Sequence, residues 1–184
     1  MPITTLDPKS ALVLIDLQKG IVSLPPADVA TAVISKSAQL ASAFRANNLP
    51  VVLVNVVAAP PGRTDRGPSA HAFPPDWTDL LPELNQQPSD ILISKRSYGA
   101  FLGTALDKEL RDRGVTQIVL AGVATSIGVE STARSAYDLG YNVAFVTDAM
   151  ADRTPEAHAW SVEKIFPRIG ELDTTENVLK LLQG

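Results

Sequence analysis

Residues 117–146, QIVLAGVATSIGVESTARSAYDLGYNVAFV, carry the reading that decides the fold. An apolar run, Gln117–Ala121, passes through small residues into a helical period over Ser126–Leu139, and a second apolar run follows at Asn142–Val146. Strands separated by a helix rather than by a two-residue turn pair in parallel, because the helix must carry the chain back along the sheet. Gly140 sits just past the predicted helix, where a left-handed residue ends it cleanly.

The same alternation extends toward both ends. Ala11–Ile15, Pro50–Val57 and Ile91–Ser94 read as further buried strands, and Val29–Asn47, Leu102–Arg113 and Glu156–Phe166 as helices. Gly114 stops the second of these helices. Thr154 and Pro155 supply a cap and a first helical residue for the last. Glu171–Thr174 is a candidate sixth strand before a final helix at Thr175–Leu182. The expectation is one α/β domain over residues 1–184, a six-stranded, mainly parallel sheet between two helical layers. Residues 58–87 stand apart, with prolines, charges, His71 and Trp77 but no sustained period; they read as a long lid or oligomer-contact loop.

Composition narrows the function. A net charge of −4 without a basic stripe argues against nucleic-acid binding. The longest apolar runs are far too short to cross a bilayer. The N-terminal MPITTLDPKS has no basic and apolar leader pattern, so the expected location is the cytoplasm. With no cysteine, neither a disulfide nor a thiol nucleophile is available. The expected partner is a small molecule. Phe73 and Trp77 in the long loop suggest self-association as a dimer or tetramer.

Three polar clusters fall at the carboxyl ends of predicted strands, where parallel sheets collect ligand-binding groups. Asp16 closes ALVLIDLQKG, Lys95 opens KRSYGAF, and LAGVATSIGV leads from a strand into a helix whose first N–H groups face any ligand. Each has a structural alternative: a carboxylate can hold a loop, a lysine can pack its stem with its ammonium in water, and small residues can serve only close packing. Gln18, Arg63, Tyr98 and Phe101 are candidate substrate contacts, with Arg66 ranked beside Arg63.

Over nearly its whole length the chain resembles the isochorismatase-like, or cysteine hydrolase, superfamily. ALVLIDLQKG is similar to that family's first strand and acid, SKRSYGAFLGTALDKEL to its lysine segment, and AGVATSIGVESTARSAYDLGYNV to its nucleophile turn and following helix. The resemblance implies a Rossmann-like fold and a catalytic set at Asp16, Lys95 and position 128. It also implies a cis peptide at Val123–Ala124 and oxyanion donors at the N–H groups of Ala124 and Gly128.

Position 128 is glycine where amidase members carry cysteine, which closes the acyl-enzyme route. Ser126, two residues earlier on the turn, is badly placed to substitute. The isochorismatases of the family also lack this cysteine, often carrying glycine, and hydrolyse a vinyl ether rather than an amide. The resemblance therefore implies that Asp16 protonates an enol-ether carbon of a small carboxylated substrate, with Lys95 beside it or binding the substrate carboxylate. The alternative is a domain that binds such a carboxylate or carbonyl compound without turnover. The Asp-x-His ligand pattern of zinc-dependent relatives is missing from VNVVAAP, and His71 and His158 are far apart, so no metal and no cofactor are expected.

Overall fold

The computed structural model describes residues 2–65 and 73–183; Arg66 and His71 lie outside them. The strands are β1 (Ser10–Ile15), β2 (Val51–Val56), β3 (Ile91–Lys95), β4 (Gln117–Val123), β5 (Asn142–Ala151) and β6 (Glu171–Asp173). The α-helices are α1 (Ala27–Ala46), α2 (Leu106–Asp112), α3 (Glu130–Asp138), α4 (Pro155–Trp160) and α5 (Thr175–Leu181). All strand pairs are parallel, in the order β3-β2-β1-β4-β5-β6.

Alternation along β1 shows how the sheet acquires two cores. Leu12 and Leu14 pack with Leu40, Phe44 and Val178 of α1 and α5, while Val13 and Ile15 pack with Leu106, Leu110 and Ala133 of α2 and α3. Fully burying a leucine- or phenylalanine-sized side chain contributes roughly 1.5–3 kcal/mol, so both faces must be covered, and the helices cover them.

Several element boundaries differ from expectation. The second predicted helix begins at Leu106 rather than Leu102, because the preceding loop is held in another shape: the Ala100 N–H donates to Thr132 Oγ1, and Gly103 adopts a φ of 67°. The third predicted helix opens with one wide π turn, Thr125–Val129, before α3 begins. β5 runs to Ala151 instead of Val146. Its polar Asp148 does not end the strand, since that carboxylate pairs with Lys36 at 2.8 Å and accepts from Thr175. Gly114 and Gly140 take the positive φ their positions require, and Thr154 Oγ1 caps α4.

Strand order reverses between β1 and β4. At this switch point the connections leave in opposite directions and open a crevice beyond the carboxyl ends. β1 and β4 approach closely there: Gly122 pairs with Ile15, and a Cβ on Gly122 would lie 2.2 Å from the Ile15 carbonyl oxygen.

Candidate active site

Asp16 is the first residue beyond β1, and its φ of 51° turns the chain away from the sheet. Its N–H donates to the Val54 carbonyl at 2.9 Å, and its own carbonyl accepts from Gln18 N–H at 2.8 Å. Lys95 ends β3, paired with Val56 across the ladder. The two strand ends thus carry opposite charges toward each other, and Lys95 Nζ lies 2.7 Å from Asp16 Oδ2. Lys95 also donates to the carbonyls of Tyr98, at 2.8 Å, and Ser97, at 3.3 Å. An ammonium has three donors, and all three have acceptors here.

Both side chains are almost fully enclosed, at 2% exposure for Lys95 and 6% for Asp16. Asp16 Oδ1 is buried without a hydrogen-bond partner. Burial raises the Asp16 carboxyl to about 6, against the opposing pull of the Lys95 charge and hydrogen bond. A carboxyl at that value can exchange a proton near neutral pH, which an ordinary aspartate cannot do efficiently.

The third element is the turn after β4, where the Val123–Ala124 peptide is cis. The Ile127 and Val129 N–H groups donate to the Ala124 carbonyl, and Ser126 N–H donates to Asp152 Oδ2 at 2.7 Å. None of these bonds uses the amide of Ala124 or Gly128. A Cβ on Gly128 would lie 3.2 Å from Asp16 Oδ2 and 3.5 Å from Lys95 Nζ, so Asp16, Lys95 and Gly128 meet at one point. Above it opens a cavity of about 690 Å³, lined by these three and by Val123, Ala124, Tyr98, Phe73 and Trp77, among others.

Other candidates fall elsewhere. Gln18 does not line the cavity: it is fully buried, donating to the carbonyls of Val56 and Trp77 and accepting from Val56 N–H, and so ties β1 to β2 and the long loop. Phe101 packs on the core beside Tyr141, with ring centroids 5.8 Å apart. Arg63 is exposed and off the cavity, although its neighbours Thr64 and Asp65 line it. Phe73 and Trp77 stack at 3.9 Å and wall the cavity, and Phe73 is also exposed. Ser126 lines the cavity but has no base partner among the described residues.

Sequence reasoning missed Asp152 and Arg153. Both line the cavity from the end of β5, and among the described residues no carboxylate pairs with Arg153. The signal was present, since a parallel strand's carboxyl end is where ligand groups gather. It was lost because β5 was ended five residues early, which made Asp152–Pro155 look like an ordinary helix start.

Comparison with known proteins gives the family. The Isochorismatase domain model matches residues 10–177. The chain is 46% identical over 181 residues to the uncharacterized isochorismatase family protein YwoC of Bacillus subtilis (strain 168), covering 94% of this chain and 93% of that one. The structure of an isochorismatase family protein from Burkholderia thailandensis superposes with a TM-score of 0.92 at 45% identity, over 98% of each chain. A more distant match is the ureidoacrylate amidohydrolase RutB of Variovorax paradoxus (strain S110), 34% identical over 99 residues, which span 52% of this chain and 39% of RutB. With the domain matched from β1 into α5 and a relative aligned almost end to end, the chain belongs to the isochorismatase family and is one of its hydrolases.

Proposed function

We propose that this hydrolase cleaves the vinyl ether of a small carboxylated substrate, with Asp16 as the proton donor. The observation that carries this is a buried carboxyl raised to about 6 at the floor of the cavity, beside a position whose glycine offers no nucleophile. The amide chemistry in RutB's name needs an attacking group; protonation of an electron-rich enol-ether carbon needs only an acid.

Asp16 transfers its proton to the terminal methylene carbon, which becomes a methyl group as positive charge spreads over the ether carbon and oxygen. Water adds to that carbon and returns a proton to Asp16. The resulting hemiketal collapses as a proton passes from its hydroxyl to the departing ether oxygen, releasing an alcohol and an α-keto acid. Lys95 lies against Asp16 Oδ2 throughout and stabilises the carboxylate left by the first transfer. Its donors are already matched, which leaves Arg153 as the better partner for the substrate carboxylate. The Ala124 and Gly128 amides suit the hemiketal oxygen as it gives up its proton.

The test is hydrolysis of an enol-ether of pyruvate in 18O-labelled water. Carbon protonation followed by water addition to the ether carbon breaks the bond on the pyruvate side and leaves the released alcohol unlabelled, read by mass spectrometry, and Asp16→Asn lowers turnover by about 10³-fold. Labelled alcohol would refute carbon protonation. Binding of such compounds without turnover would favour the ligand-binding reading.

A further inference from the structure

Behind the turn lies a polar pair that the chemistry above does not use. Thr125, the residue after Ala124, is completely buried, and its hydroxyl lies 2.9 Å from Nδ1 of His158 on α4. A hydroxyl beside an imidazole has the composition of a nucleophile and its base. Thr125 does not line the cavity, however, so no substrate reaches it. A fully enclosed hydroxyl needs a partner, and His158 is the partner this one has.

The neighbouring residue is gripped from the same direction. Ser126 N–H donates to Asp152, whose other oxygen accepts from Arg153 N–H at 2.7 Å. One helical turn beyond His158, the Ser161 hydroxyl donates to Glu130 Oε2 at 2.7 Å. Consecutive residues of the turn and the first residue of α3 are therefore fastened to the segment running from the end of β5 through α4. Burial lowers the His158 pKa from its ordinary value, partly opposed by the Asp152 charge, and so favours the neutral ring beside the Thr125 hydroxyl.

We infer that His158 is a positioning residue that acts through Thr125 to fix the turn carrying the Ala124 and Gly128 amides. It touches no reacting atom. Its contribution is to keep the turn from relaxing away from Asp16 while charge on the substrate oxygen rises, an effect expected in kcat rather than KM.

The experiment compares His158→Leu, His158→Asn and Thr125→Val by residue-resolved amide exchange and by steady-state kinetics. Leucine fills the space without a polar atom, whereas the asparagine amide can occupy the position of Nδ1. In His158→Leu, the hydrogen-bonded amides of Ser126, Ile127 and Val129 should exchange about tenfold faster, with those of β1 and β4 unchanged. Thr125→Val should do the same, and His158→Asn should recover most of the protection. The kinetic arm, which rests on the proposed vinyl-ether reaction, should show kcat about tenfold lower and KM within about twofold in His158→Leu. Unchanged turn exchange in both Leu and Val variants would overturn the inference, as would equal acceleration across the whole sheet. The exchange arm needs no substrate, so failure of the enol-ether assay with the wild-type protein would count against the reaction and not against the clamp.

Discussion

Asp16 Oδ2 and Lys95 Nζ stand 2.7 Å apart at the ends of two strands separated in the sheet by β2, and neither side chain is open to bulk water. Two effects oppose each other across this distance. Burial favours the neutral carboxyl, the lysine charge favours the carboxylate, and burial prevails enough to bring Asp16 to about 6. If Asp16 must enter the reaction protonated, kcat/KM falls as pH rises through about 6; a general base would give the reverse limb. Lys95→Met removes the opposing effect, so the limb should move to higher pH by about one unit or more. A limb that stays in place would show that Asp16 is not the titrating group.

The fold was legible because apolar period and turn residues agree along most of the chain. Asp16, Lys95 and Gly128 were legible for a related reason: each closes or follows a buried run, and a parallel sheet gathers those ends at one edge. Gln18 was misread because proximity in sequence to an acid does not show which way an amide points; tertiary partners claimed it. Arg153 was hidden by a strand that continues through a polar residue. The Lys36 and Thr175 contacts to Asp148 and the renewed pairing of Met150 and Ala151 with β4 account for that continuation, and they come from distant parts of the chain. The clasp between His158 and Thr125 had no local signal, since 33 residues separate its members.

Arg153 should act on binding. Its side chain is exposed at the cavity and makes no ion pair with a described residue, so Arg153→Gln should leave thermal stability essentially unchanged. For a carboxylated substrate KM should rise about tenfold or more, with kcat little affected, because the lost contact is made equally before and during reaction. An uncharged analogue of the substrate should show no such difference. Equal losses for both would mean that Arg153 does not meet the carboxylate.

Gly122 and Gly62 form a matched pair for stability. At Gly122 a φ of 121° and a Cβ position 2.2 Å from a backbone oxygen leave no room for alanine, and the obstacle cannot rotate away. Gly122→Ala should cost about 3 kcal/mol or more and lower the melting temperature accordingly. Gly62 has nothing within 4 Å of its Cβ position, so Gly62→Ala should fall within about 0.5 kcal/mol of wild type. Chemical denaturation of both variants checks the contrast; a mild effect at Gly122 would mean that β1 and β4 can separate at the site.

Gly128→Cys asks whether the position retains a cysteine hydrolase's surroundings. Its φ is not positive, and the tightest contact to an added Cβ is the Ile15 Cγ2 methyl at 2.9 Å, on a fully buried β-branched side chain that must shift to admit it. Replacing glycine in a helical turn recovers up to about 1 kcal/mol of conformational preference and offsets part of that cost, so the variant should fold with a melting temperature somewhat below that of wild type. The new thiol would sit beside Lys95, which stabilises a thiolate, and beside Asp16, which removes its proton or opposes its charge according to its own ionisation. With Asp16 at about 6, the expected result is selective alkylation by iodoacetamide at neutral pH, reduced in the Gly128→Cys/Lys95→Met double variant. The same sulfur would take up space beside Asp16 that an enol-ether carbon protonated by it needs, so vinyl-ether hydrolysis should fall even as thiol reactivity appears. A folded variant whose thiol titrates near ~8.5, like an ordinary cysteine, would show that Asp16 and Lys95 are not poised around position 128, and the assignment of chemistry to this pair would fail.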